Sequence, residues 1–325
     1  MLKRLTKQRE FMIFMIVAGV FVIMSFASPY FLNTANILAV LLGLSLEAII
    51  AVGMVNLMAS GGFDLSVGSV VAFSGSSTAM FIRMGTPVPI AVLLGLTLGG
   101  LIGLFNGFIV SKIGINAFVT TLSSLSLFRG LTLIITKGQN LTGLGRTFKS
   151  IGQAKFLGIQ MPIWYALILV VIGDILLRKS RFFRQSYYIG GNEHAARLSG
   201  INVDKMKMLN FVITGLLAAA AGIIMTARLG AASVTAGTGM ELRVITAVII
   251  GGASLQGGEG TVLGAFLGTF LMALITNALT LLGVDVYWQT FVIGATLLTA
   301  VLIDRVGKMR EEGRLTFFER LFKKA

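Results

Sequence analysis

The chain has 325 residues, 55% hydrophobic and only 12% charged, with a mean hydropathy of +0.89. That is too little charge to cover a soluble surface, so the expected class is an all-α polytopic membrane protein. The net charge of +14, the absence of cysteine and the single histidine, His194, complete the bounds: the cations cluster at 3–9, 178–207 and 305–324 beside apolar stretches, which fits positive-inside topology and anionic lipid rather than nucleic acid, and disulfides, thiolate chemistry and clustered-His metal sites are excluded.

At about 20 apolar residues per crossing, ten spans are expected in chain order: 11–28, 37–58, 66–82, 88–110, 117–135, 163–177, 209–229, 241–253, 261–282 and 290–304. The basic start, apolar run and small residues of 1–28 imitate a signal peptide. The run is long and many spans follow, however, so an uncleaved first helix is the expected form. The third span is rich in Ser and Gly and the eighth is short. Both are candidates for broken or re-entrant elements, which a membrane tolerates only where protein or a cavity covers the backbone.

Charge then sets direction. Four Lys/Arg stand in the first ten residues, seven in 178–209 and seven from Arg305 onward, while loops 29–36, 230–240 and 283–289 hold none. Ten crossings with both termini cytoplasmic accommodate this. The reading is one transmembrane domain over 1–325, with cytoplasmic segments 1–10, 178–209 and 305–325. Loop 136–162 is the exception. It falls outside yet carries Lys137, Arg146, Lys149 and Lys155, and its length suggests that it folds over the outer face and binds something there.

Ionisable and polar groups at membrane depth are functional candidates by default. They are Glu47, midway along the second span; Asp64 in ASGGFDLSVGS; Asn106 in the fourth; Arg129 in the fifth; and Glu241 with Arg243 at the start of the eighth. Structural readings stand beside these: snorkelling or pairing for Arg129 and Arg243, a helix–helix hydrogen bond for Glu47, and an N-cap of the third span for Asp64. A second glycine turn, ASLQGGEGTVLG, resembles the first. Ala51-Val52, Gly61-Gly62 and Gly68 recur as Ala247-Val248, Gly257-Gly258 and Gly264 at an offset of 196, the pattern an internal repeat would leave.

No P-loop, nucleophile elbow or HExxH motif occurs, and GGNEH lacks the second His of a zinc site. No catalysis is expected, nor any cofactor or metal. Uphill transport would need either ion sites in the membrane, for which Glu47 and Asp64 are thin material, or a borrowed ATPase. The 178–209 loop offers the docking element for the second. It contains a short helical stretch, Glu193 to Leu198, ended by Gly200, with Glu193 and Arg197 one turn apart and an apolar face of Ala195, Ala196 and Leu198. A short amphipathic helix of this kind suits a groove on a partner.

Three stretches carry a family likeness: SGGFDLSVGS at 60–69, GGNEHAARLSGINVDKMK at 190–207 and TAGTGMELRVITAVIIGGASLQGGEGTVLGAFLG at 235–268. The chain resembles the permease subunits of ATP-binding-cassette importers for monosaccharides, the ribose, arabinose, xylose and galactose branch, and is most similar to ribose-type permeases. The resemblance implies about ten helices in a bacterial inner membrane and a homodimer of permeases. It further implies an ATPase with tandem cassettes below and an extracytoplasmic sugar-binding protein above. It places ATPase coupling on Gly190, Gly191, Asn192, Glu193, Ala196, Arg197 and Gly200, and the polar groups read at membrane depth make Asp64, Ser66, Asn106, Glu47 and Glu241 the expected translocation pathway. The family's usual Ile is Phe63 here, and its usual Glu is His194. A self-sufficient secondary carrier or channel is the alternative, as is the same family importing nucleosides, amino acids or a furanose-like signal.

Overall fold

The computed structural model describes residues 2–311, so the basic tail expected from Arg305 lies largely outside the described residues, as do the side chains of the first basic cluster. The chain is almost wholly helical. Helices α1 (Leu2–Ala27), α2 (Thr34–Ala59), α3 (Val67–Arg83), α4 (Val88–Phe108) and α5 (Ala117–Thr136) come first, with a π-helical turn at Ile109–Ile113 ending α4. The loop between α5 and the next long helix holds α6 (Gly145–Gln153) and a two-stranded hairpin, β1 (Lys155–Phe156) and β2 (Ile159–Gln160). Then follow α7 (Met161–Lys179), α8 (Gln185–Gly191), α9 (Glu193–Leu198), α10 (Val203–Leu229), α11 (Met240–Ile250), α12 (Val262–Leu281) and α13 (Val286–Glu311).

Among the described residues, eight segments are long and apolar enough to cross a membrane. They are Glu10–Ala27, α2, Val88–Ile113, α5, α7, α10, α12 and Tyr287–Val306. The other two of the ten expected spans are the shorter α3, with 17 residues, and α11, with 11. At 1.5 Å per residue α11 covers about 17 Å, roughly half of a hydrocarbon core of about 30 Å.

Irregular backbone supplies the missing depth. Gly237 lies against Gly68 and Val71 of α3, and Val71 in turn lies against Gly222 of α10. That is about two turns before α10 ends at Leu229, so the 231–239 segment dips back into the bundle before α11 begins. Its polar groups are met from the side: Arg129 donates to the carbonyls of Val234 (3.1 Å) and Ala236 (2.8 Å), and Asn140 accepts from the Val234 amide. Covering such backbone with protein removes the penalty it would carry in lipid.

Helix α10 is the centre, with α2, α3 and α4 packed around it. A glycine every fourth residue on α4 (Gly95, Gly99, Gly103, Gly107) turns one bare stripe toward α10. A methyl at Gly99 would strike Ala219 and the Gly215 carbonyl, and one at Gly103 would strike the Phe211 carbonyl. Lipid supplies no hydrophobic drive between helices, so close backbone approach through small residues is what holds the pair.

Helices α2 and α11 run parallel and in register. Glu47 pairs with Arg243 (2.6 Å), and Gly257 lies against Gly61; both pairs stand at the offset of 196 seen in the sequence. The α6 loop folds back onto α10: Phe148 is fully buried, Gly152 abuts the Arg228 backbone, and Gln153 donates to the Arg228 carbonyl at 2.9 Å.

Candidate functional site

The segment between α7 and α10 folds as two short helices held by charge. Asn192 caps α9, its side chain accepting from the Ala195 amide at 2.9 Å. Glu193 and Arg197 pair at 2.9 Å as their spacing demands. The pair is part of a longer chain of ions. Lys207 reaches Glu193 (2.6 Å), Arg197 also reaches Asp204 (2.6 Å), and Lys112 on the π-helical turn reaches Asp204 from the other side (3.0 Å). The Lys207 ammonium, with Arg197, holds the Glu193 carboxyl below the ordinary range, while Asp204 and Glu193 together raise the Arg197 guanidinium. Gly200 closes α9 with a left-handed φ of 82°, its amide bonding to the Arg197 carbonyl.

Of the seven expected coupling residues, Gly191, Asn192, Arg197 and Gly200 are exposed and Glu193 is half-buried. The other two turn inward. Ala196 packs with Ile189, Val203 and Met206, because a six-residue helix lying on the start of α10 must bury one side. The outward apolar surface is therefore Ala195 and Leu198, the latter 78% exposed, with Tyr188 from α8, and not Ala196. Gly190 is pressed against the backbone of the two glycine turns: a methyl there would strike the Ala59 carbonyl, the Gly258 nitrogen and the Gly257 Cα.

The mid-membrane candidates form a closed network. Asp64 is not the expected N-cap: that place falls to Ser66, whose side chain makes no capping bond, and Asp64 Oδ1 instead accepts from the Ser66 amide (2.7 Å) and hydroxyl (2.6 Å), a turn closed just ahead of α3. Asn106 of α4 donates to Ser66 Oγ (2.9 Å) and more distantly to Asp64 Oδ2 (3.5 Å), and accepts from Ser124 of α5. All four side chains are buried. The turn, α4 and α5 are thus tied by neutral and charge-assisted bonds away from any open surface. What faces outward beside Asp64 is aromatic, Phe63 stacking edge-on against Phe118.

Glu47 is neutralised by Arg243, the structural pairing weighed for it. Glu241 sits at the first turn of α11 against Gly68, and among the described residues its Oε2 has no hydrogen-bond partner. Arg129 reaches the same place, donating to the Gly68 carbonyl at 3.3 Å. The structure thus brings Arg129, Glu241 and the start of α3 together where α11 begins, with the Glu47–Arg243 pair two residues farther along α11.

The sequence reading passed over a second buried knot. Asn210 of α10 accepts from Asn56 of α2 (2.7 Å) and donates to Ser60 (3.0 Å) and to Ser186 of α8 (3.1 Å). Nearby, Tyr187 of α8 donates to the Gly260 carbonyl at 2.6 Å, and the Gly258 amide donates to the Ala59 carbonyl at 2.9 Å. The available signal was an asparagine inside each of two apolar spans.

A family model described as "Branched-chain amino acid transport system / permease component" matches residues 36–301. Among curated proteins, the chain is similar to the ribose import permease protein of Bacillus subtilis (strain 168), with 41% identity over 286 residues, 87% of this chain and 89% of the relative. It is 40% identical over 304 residues to the ribose import permease protein of Haemophilus influenzae, 92% and 93% of the two chains. It is 38% identical over 288 residues to the L-arabinose transport system permease protein of Escherichia coli (strain K12), 89% and 88%.

Proposed function

The chain belongs to this permease family, and from that premise we propose that it is the transmembrane subunit of an ATP-driven importer for a monosaccharide of the ribose type. The family description mentions amino acids, but the relatives named above carry ribose and arabinose in their names, which favours a sugar as cargo. The protein is multi-pass and belongs in a bacterial inner membrane. In this reading both termini are cytoplasmic, two copies pair around the route, a sugar-binding protein delivers from outside, and a tandem-cassette ATPase docks from inside.

The observation that carries the reading is the α8–α9 segment. It is a rigid, ion-locked projection outside the apolar spans, with Leu198 and Tyr188 bare to the surroundings. A chain with no nucleotide motif of its own has a use for such a projection as a seat in the ATPase. Closure of the cassettes would draw the two projections together and switch the pair of permeases between outward and inward openings. Asp64, Ser66 and Asn106 then act from behind Phe63, fixing the wall of the route more than touching the sugar.

Proteoliposomes holding this chain, the ATPase and the binding protein should take up ribose only when ATP is present. Uptake by this chain alone, driven by an ion gradient, would establish a self-sufficient carrier instead.

A further inference from the structure

We propose that α8 is a transmission strut: through Ser186–Asn210 and Tyr187–Gly260 it fastens the projecting α9 to the inner ends of α2, α10 and α12, so that movement of α9 is delivered to both glycine turns at once. This rests on the reading of α8–α9 as the ATPase seat.

The geometry leaves α8 little freedom of its own. Both amide hydrogens of Asn210 are committed, one to Ser60 at the end of α2 and one to Ser186, and its oxygen holds Asn56. Asn210 and Ser186 are fully buried, so water does not compete for these bonds. On the opposite side Tyr187 grips the Gly260 carbonyl, in the turn that leads into α12. Between the two grips, Gly190 touches Ala59, Gly257 and Gly258 backbone to backbone, and the two turns are themselves joined by the Gly258–Ala59 hydrogen bond. Side chains bend and slip, whereas backbone in contact with backbone passes on a displacement.

The two turns lead to different places. The Ala59–Gly62 turn runs within a few residues into Asp64 and its tie to α4 and α5. The turn at 257–260 lies between α11, the half-length helix that carries the partly buried Glu241 in its first turn, and α12. One strut therefore addresses both broken elements of the membrane domain. Asn210, Ser186 and Tyr187 are positioning residues in this scheme; none of them touches sugar or ATPase.

The test uses the full complex of permease, ATPase and binding protein in proteoliposomes, and reads sugar imported per ATP hydrolysed. Ser186→Ala and Tyr187→Phe each remove one grip and keep the packing. Each should lower that ratio about fivefold, the factor one lost hydrogen bond represents, with assembly and basal ATP hydrolysis unchanged. Ser186→Thr, which keeps the hydroxyl, should restore the ratio, and Ser186→Ala with Tyr187→Phe should lower it further. If both single variants import as much sugar per ATP as the native complex, or lose assembly and both rates in proportion, α8 is scaffold and the proposal fails. If the native complex itself shows no ATP-dependent uptake, the functional reading has failed first.

Discussion

The α8–α9 projection and the Asp64–Asn106 network are both built from polar side chains, yet they are opposite in kind. The projection is laced with full charges, five ions in a row from Lys112 to Lys207, set where several of the side chains meet solvent. The network at Asp64 has one carboxylate and three uncharged partners, all sealed from solvent. Exposed ion pairs contribute little to stability each, because water and salt replace them readily. Buried hydrogen bonds contribute more chiefly because breaking one leaves an unsatisfied group in a medium with nothing to offer it. The first region is suited to be pulled on and re-seated, and the second to move as a block.

The comparison breaks most plainly if the buried side is soft. Asn106→Leu strips the acceptor from Ser124 and the amide donor from Asp64 and Ser66, and should cost roughly 2–4 kcal/mol by reversible unfolding in mixed micelles. A loss near zero would mean that the network is ornamental. The Glu47–Arg243 pair lies between the extremes, half-buried on Arg243. Arg243→Met should cost about 1–3 kcal/mol by leaving Glu47 unpaired, and the exchange Glu47→Arg with Arg243→Glu should recover most of it.

On the exposed side the sizes invert between fold and function. Arg197→Glu sets like charges against Glu193 and Asp204, and should abolish sugar uptake and reduce co-purification of the ATPase while leaving the unfolding midpoint in place. Normal uptake by that variant removes α9 from the mechanism. The smallest effect concerns pH. Glu193 titrates below the ordinary carboxylate range in the folded chain because Lys207, then Arg197, favour its charged form. Its contribution is therefore fully present above that range and is lost as pH falls through the depressed folded value. Hydrogen exchange of the α9 amides should show protection fading on acidification, and Glu193→Gln should flatten that dependence. Since Glu193 is 43% exposed, salt should weaken the effect as well.

Local features were legible in the sequence. The Glu193–Arg197 pairing and the weakness of the third and eighth spans follow from a spacing of four residues or from a run's length, whereas the N-cap expected at Asp64 falls two residues later, at Ser66. What escaped was the direction in which polar groups face at depth. Nothing within the span around Asn210 says that its amide is divided among α2, the turn after it and α8, since those partners stand 24 to 154 residues away. Ala196 reads as part of an outward apolar face on a helical wheel, yet the start of α10 lies against that side. Asp64 and Asn106 read as lining a route for the same reason. A polar residue in an apolar span is conspicuous, but whether it faces a lumen or another side chain is fixed by helices far along the chain.

The glycine stripe of α4 has a geometric corollary for permeation. With its backbone lying directly against that of α10 at Gly99, Gly103 and Gly107, α4 leaves no room for a pentose to pass between these two helices. In the importer proposed above, the route runs instead along outward faces such as those of α5 and α13, which keep most of their surface bare. A perimeter becomes a conduit only when something stands opposite to form the other bank. In that reading a lone copy should conduct nothing.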